Sequence, residues 1–208
     1  MALLVVISGS ELFVGEAQII QQLFNEGLEV FHLRKPNAAE NEIRQLLHDI
    51  PAEYHNRIAL HSCHQLAGEF DIQRLHFTEQ ARENAFDEGG ATLQALINKG
   101  YKLSTSVHSI DALRSLPPVF SYAFFGPVFN SISKENYNGI TGNNFFVSDG
   151  YKSVPVIALG GINAENISKV TAMNFDGAAV LGALWTEPQR AVEIYRLLKV
   201  KWRILSLI

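Results

Sequence analysis

The chain has 208 residues, 47% of them hydrophobic and 18% charged, with a formal net charge of −4. That length and apolar content can bury a proper core in one domain over residues 1–208, as α/β barrels do, and exclude a linker or disordered tail. The acidic balance excludes a basic nucleic-acid footprint, and the single cysteine, Cys63, excludes an internal disulfide framework and fits a reducing cytoplasm.

Strand and helix signals alternate from the start. Residues 2–7 read as an apolar strand, too short and too poor in flanking basic residues for a signal peptide, so the expected location is cytoplasmic. A helical pattern over Glu16–Glu26 is closed by Gly27, and Leu28–Leu33 is the second strand. Ala38–Ile50 reads as the second helix, stopped by Pro51, and Arg57–Leu60 as the third strand. A short helix through His64–Ala67 leads to a fourth strand over Ile72–Phe77.

The second half keeps the rhythm. Ala91–Lys99 is helical up to Gly100, Tyr101–Thr105 is a strand, and Ser109 caps a helix to Leu116 that Pro117 and Pro118 end. Ser121–Phe125 is the sixth strand, followed by a long polar loop to about Asn144, a candidate lid. Residues 154–158 and 177–180 are strands seven and eight, each trailed by a helix. No run approaches the ~18 apolar residues of a membrane span. The apolar, basic-flecked Leu197–Ile208 is expected to pack on the body, ahead of a partner subunit or a membrane surface. With the helix face over Ile19–Phe24, it could also form a homodimer.

Eight strands alternating with helices predict a closed (β/α)8 TIM barrel. A doubly wound open sheet is disfavoured, because the glycines of a dinucleotide fingerprint belong after the first strand, where only Ser8-Gly9-Ser10 stands. The informative glycines come late. Gly160-Gly161 after strand seven, with Asn163 to cap the next helix, and Leu181-Gly182 after strand eight match where barrels place a phosphate.

Active sites of such barrels lie at the C-terminal strand ends. Those ends carry His32 and Arg34 after strand two, His61 after strand three, His76 after strand four, Ser106 and His108 after strand five, and Ser131, Ser133 and Lys134 after strand six. Any one strand-end histidine is more often a buried hydrogen-bonding group than a functional one. Four of seven histidines on one rim tip the balance toward a site. Two hydroxyls and a cation within Ser131–Lys134 suit phosphate oxygens, although loop lysines are usually just solvated. Clustered imidazoles bring zinc to mind, but only His61-Ser-Cys-His64 approaches a ligand spacing, and that run reads better as a helix start; no metal is assigned.

Phe31-His-Leu-Arg34, Ser106-Val-His-Ser109, Phe125–Lys134, Val154–Ile162 and Asp176–Val180, in this order, resemble the thiamine phosphate synthase/TenI family. The resemblance implies a small phosphorylated thiazole as partner, its phosphate held by Gly160, Gly161, Leu181, Gly182, Ser131, Ser133 and Lys134. The synthase branch joins that thiazole to a hydroxymethylpyrimidine pyrophosphate with Mg2+. Its pattern is Gln-x-Arg-x-Lys after strand two, Asn-Asp after strand three and Gln-Glu-Asp after strand four. Here His32 and Pro36 flank a retained Arg34, His61-Ser62 replaces Asn-Asp, and Glu79-Gln-Ala81 replaces the acidic run.

The TenI branch, which is similar in His32-Leu-Arg34 and Ser106-Val-His-Ser109, isomerises a thiazole carboxylate phosphate by moving a proton, which calls for no cofactor. That comparison makes His108 the acid–base group, with Arg34 on the carboxylate, His32 orienting or sharing protons, and Ser106, His61 and His76 lining the substrate site. The reading therefore leans to a thiazole tautomerase. Thiamine phosphate synthase, with Mg2+, is the alternative, and a non-catalytic module that binds thiamine intermediates is the second alternative.

Overall fold

A computed structural model of the chain describes residues 3–87, 89–130 and 145–205, with side chains as far as Trp202. Eight strands close into a parallel barrel in sequence order: β1 (Leu3–Ile7), β2 (Val30–Leu33), β3 (Ile58–Leu60), β4 (Arg74–Phe77), β5 (Lys102–Val107), β6 (Tyr122–Phe125), β7 (Val156–Leu159) and β8 (Gly177–Val180). The closing pair aligns Val5 with Ala179. This is the predicted (β/α)8 barrel.

Outside the barrel lie α1 (Glu16–Asn25), α2 (Glu40–Asp49), α3 (Glu79–Asp87), α4 (Ala91–Asn98), α5 (Ile110–Arg114), α6 (Ile167–Ala172), α7 (Gly182–Trp185) and α8 (Ala191–Leu205). Side chains alternate across each strand, so one set faces the helices and the other the barrel interior. Phe31, Leu33, Leu60, Leu75, Val107, Phe125 and Ala178 face the helices in one large cluster. Val5, Ile7, Val30, Tyr122, Phe124, Ile157 and Ala179 fill the barrel interior in a second, smaller one.

The interior is apolar on one side only. On the β2–β6 side the same inward positions hold His32, His76, Ser104 and Tyr122, all of them buried. Strand register sets His76 beside Ser104 and Ser104 beside Tyr122, so these polar groups share one layer. A buried polar layer is tolerable only when its members hydrogen-bond one another.

Several expectations shift. The helix α3 was not anticipated, because its apolar positions are mostly alanines among charged residues and give little periodicity. Ser109 does cap α5, accepting from Ala112 N at 3.1 Å, but the helix ends at Arg114 rather than Leu116. Asn163 caps the turn before α6 rather than the helix, accepting from Glu165 N at 2.8 Å, while Asn166 takes the N-cap position. In α1, Ile20, Leu23 and Phe24 are buried in the core, while Ile19 is half-buried.

The C-terminal segment packs as expected: Tyr195, Leu198 and Trp202 of α8 are buried, while Leu197 and Val200 face outward. Burial at roughly 1.5–3 kcal/mol per large side chain is ample to hold this helix in place. No helix among the described residues is long and apolar enough to cross a membrane. The predicted lid up to Asn144, with Ser131, Ser133 and Lys134, lies outside the described residues, as do residue 2 of the first strand and the chain end after residue 205.

Candidate active site

A cavity of about 710 Å³ opens at the C-terminal ends of the strands. Its lining draws on most of the barrel: Ile7, Arg34, His61, His76, Ser106, His108, Phe124, Leu159 and Ala179 come from or directly follow eight different strands. This is where the fold's geometry places a site, because only there do all the strand ends converge.

One wall is backbone. Gly160 (φ +101°) and Gly161 (φ +65°) both adopt left-handed conformations that side chains rarely take. The space is equally demanding: a Cβ on Gly160 would sit 2.8 Å from Pro127 Cα, and one on Gly161 would collide with the carbonyl oxygen of Asn130. Val128 N donates to Leu159 O at 2.8 Å and Phe129 N to Gly160 O at 3.1 Å, tying the segment after β6 to this glycine turn. Leu181, Gly182 and Ala183 line the cavity beside it. The wall is thus built of main chain and small residues, open enough for phosphate oxygens to approach the backbone.

Another stretch of the lining carries a hydrogen-bonded carboxylate. His108 Nδ1 lies 2.6 Å from Glu79 Oε2, and Glu79 Oε1 lies 3.4 Å from Arg82 Nη2. Partial burial pushes the Glu79 carboxyl up, but hydrogen bonds and charge from His108 and Arg82 outweigh it and hold the carboxyl below its usual range. Arg82 is itself fixed, donating from Nη1 to Ser106 O at 2.6 Å and to Thr105 Oγ1 at 3.2 Å. The first turn of α3 therefore orients His108 from behind.

The floor is a set of imidazoles, buried for His32 and His76 and half-buried for His61. His32 Nδ1 is 2.8 Å from His61 Nε2, and His32 Nε2 is 2.5 Å from Tyr122 Oη. His76 Nδ1 meets Ser104 Oγ at 3.0 Å and its Nε2 meets Ser106 Oγ at 3.1 Å. Burial drives the pKa of all three histidines down, well below the ordinary value for His32 and His61 and to about 3 for His76, so each ring is neutral near pH 7. Burial also lifts Tyr122 to about 12, keeping its hydroxyl protonated.

These three rings have ligand atoms within 4.8 Å of one another, a spacing at which a metal deserves a test. The present geometry does not fit one. The His61 and His76 rings stack at 4.0 Å with only 23° between their planes, so their in-plane lone pairs do not converge. Both ring nitrogens of His32 and of His76 already have partners. His64 is turned to the Leu60 carbonyl at 3.1 Å and begins a short 3-10 turn.

The structure brings His108, Arg34, Ser106, His61, His76, Gly160, Gly161, Leu181 and Gly182 together around one cavity. His32 differs: it is fully buried beneath the floor and reaches the cavity only through His61. The sequence pattern does not reveal the roles of Ser104, Tyr122 and Arg82, and Glu79 enters it only within the run that replaces Gln-Glu-Asp. The alternation Ser104-Thr-Ser106 in β5 was the available signal, since it marks two inward hydroxyls on successive layers.

A family model described as thiamine monophosphate synthase matches residues 4–184. The chain belongs to the thiamine monophosphate synthase family. It is 21% identical over 171 residues to the thiamine-phosphate synthase of Clostridium tetani, covering 80% of this chain and 79% of that one. A shorter match to the thiamine-phosphate synthase of Methanocella arvoryzae is 36% identical over 88 residues, 41% of this chain and 42% of the relative, so it spans less than half of that protein.

Among solved structures, thiamine phosphate pyrophosphorylase from Bacteroides thetaiotaomicron is 26% identical, with a TM-score of 0.73 over 97% of this chain and 98% of that one. Its counterpart from Pyrococcus furiosus, at 16% identity and a TM-score of 0.72, shows the shared fold alone. These relatives carry the name of the synthase, the reading held as the alternative from sequence, rather than that of the tautomerase. The family's magnesium is a hard cation that wants free carboxylate oxygens. Among the described lining residues Glu79 is the one carboxylate, and both its oxygens are engaged by His108 and Arg82, so this donor set does not fit Mg2+.

Proposed function

We propose that the cavity binds a phosphorylated thiazole and that His108, held by Glu79, moves a proton on the thiazole ring without a divalent metal. The observation that carries this reading is the 2.6 Å His108–Glu79 pair on the cavity that the Gly160–Gly161 turn also lines. With Nδ1–H donating to the carboxylate, Nε2 is the atom left to exchange protons with substrate. It takes a proton from one ring position, Glu79 stabilises the resulting imidazolium, and the same nitrogen returns a proton to another position. Arg34, exposed on the lining, suits a substrate carboxylate, and the glycine turn with Gly182 suits the phosphate.

Replacing His108 by alanine is expected to lower turnover of thiazole carboxylate phosphate by roughly 10²- to 10⁴-fold while leaving binding of a phosphorylated thiazole product almost unchanged. Undiminished turnover would remove His108 from the chemistry. A second reading is favoured by the names of the relatives: joining of a pyrimidine pyrophosphate to the thiazole phosphate. Formation of thiamine phosphate and pyrophosphate by the purified chain with Mg2+ would establish that reading instead.

A further inference from the structure

The segment that follows β2 is held from two sides. Ser8, fully buried just past β1, grips one residue of it with a single hydroxyl: Ser8 Oγ donates to Arg34 O at 2.9 Å and accepts from Arg34 N at 2.8 Å. The next residue is tied in the opposite direction. Lys35 Nζ donates to Glu16 Oε1 at 2.6 Å and to Glu11 O at 2.8 Å, with the Lys35 and Glu16 side chains 0% and 1% exposed. Asn37 Nδ2 adds a longer bond to Glu11 Oε1 at 3.4 Å. Residues 34, 35 and 37 are thus all fastened to the stretch between β1 and the first turn of α1.

Alternation gives these contacts a direction. Pro36 restricts the residue before it to extended backbone, so Lys35 turns to the opposite side from Arg34 and Pro36. Lys35 is buried, whereas Arg34 and Pro36 are exposed and line the cavity. The Lys35 charge is therefore met internally by Glu16. The Arg34 guanidinium has no hydrogen-bond or ion-pair partner among the described residues, and it is the one lysine or arginine in the described lining. Its charge reaches the floor: with burial as the largest cause, Arg34 is among the forces that hold His61 and His76 neutral.

A buried ion pair adds little net stability over apolar residues of the same volume. Burial pushes the Glu16 carboxyl up and the Lys35 amine down, so their attraction does not fully offset the loss of water. What the pair does supply is a fixed place, because a lysine that must meet one carboxylate and one carbonyl in the interior cannot shift along the strand. We propose that Ser8 and the Lys35–Glu16 pair are positioning residues that hold Arg34 as the receptor for the substrate carboxylate.

The inference rests on the carboxylate contact assigned to Arg34 above. A guanidinium grips a carboxylate through two parallel N–H···O bonds, and both form only when the two planes are aligned. The arginine side chain is long and flexible, so any play in the backbone at its root is magnified at its tip. Clamping Arg34 N and O to one buried hydroxyl removes that play before substrate arrives, which lowers the ordering cost of binding. Ser8, Glu16 and Lys35 are absent from the cavity lining, so their effect on a bound carboxylate passes through Arg34.

Calorimetric binding of two probes to the full chain tests it: aromatic thiazole carboxylate phosphate, and the thiazole phosphate that lacks the carboxylate. Arg34→Ala is expected to weaken the first by roughly 10- to 100-fold and the second by less than about twofold. Ser8→Ala should weaken the first by about fivefold or more and again spare the second. The deciding measurement is the double variant: with Arg34→Ala already present, Ser8→Ala should change nothing further, because Ser8 acts through Arg34. Equal losses for both probes, a Ser8→Ala loss that persists in the Arg34→Ala background, or no loss in either single variant would overturn the proposal. If Ser8→Ala does not fold, as read from its 1H–15N spectrum, Glu16→Leu combined with Lys35→Met, which leaves no lone buried charge, goes through the same cycle. None of these readings needs turnover. A chain without tautomerase activity that shows the non-additive cycle loses the proton-transfer reading and keeps the clamp; an active chain with an additive cycle keeps that reading and loses the clamp.

Discussion

Acid should destabilise this protein well before its carboxylates titrate, and the buried imidazoles set the size of the effect. In the unfolded chain a histidine binds a proton below about pH 6.5. In the folded barrel burial holds the His76 ring neutral down to about 3, and the His32 and His61 rings are depressed as well. The unfolded state therefore binds more protons throughout this window. Stability is complete above about pH 6.5 and falls as pH decreases, by ~1.4 kcal/mol per pH unit for each imidazole that only the unfolded chain protonates.

For His76 alone, titration over the whole window amounts to roughly 5 kcal/mol, and the three rings together reach up to about 4 kcal/mol per pH unit. That is comparable to the whole stability of an ordinary domain, so cooperative unfolding is expected between about pH 5 and 6. Urea unfolding at constant ionic strength at pH 7.5, 6.5, 6.0 and 5.5 measures the slope. A His76→Gln variant, which does not titrate, should lose about a third of it. A free energy of unfolding that stays level from pH 7.5 to 5.5 would refute the picture of buried neutral imidazoles.

Other outcomes follow from single contacts. Gly161→Ala places a methyl against the Asn130 and Phe129 carbonyls at a left-handed φ; it should cost on the order of 1–3 kcal/mol in strain and weaken binding of a phosphorylated thiazole at least tenfold by calorimetry. Lys35→Met strips the buried partner from Glu16, 2.6 Å away, and is expected to lower stability by about 3–5 kcal/mol in urea titrations. Glu79→Gln keeps a hydrogen-bond acceptor for His108 but removes its charge; kcat should fall while binding of the phosphorylated product stays within about twofold, a split that equal losses in both would contradict.

The barrel and most of its rim were legible because strand alternation and late glycines are local signals. Apolar runs closed by turn residues reported the eight strands, and Gly160-Gly161 reported a backbone turn that no other residue can make. What sequence left unread is the third dimension of the interior. His32 looks like a rim residue beside Arg34, yet the stagger of the strands sets it below His61, one layer down. Tyr122 reads as an ordinary aromatic core position in Tyr122-Ala-Phe-Phe125, and only the folded barrel shows its hydroxyl meeting the His32 ring. In the sequence Glu79 stands out only as the remnant of an acidic run. Its real partner, His108, lies 29 residues on and meets it only because α3 begins at the lip of the cavity.

Whether this member of the thiamine monophosphate synthase family moves a proton or joins two rings is decided most directly by a paired assay. The purified chain would be given thiazole carboxylate phosphate alone, or thiazole phosphate with hydroxymethylpyrimidine pyrophosphate, each with Mg2+ and with excess EDTA. The account predicts isomerisation of the carboxylate at equal rates with and without the metal, abolished by His108→Ala, and no release of pyrophosphate. Thiamine phosphate formed only when Mg2+ is present, with the carboxylate left unchanged, would contradict it.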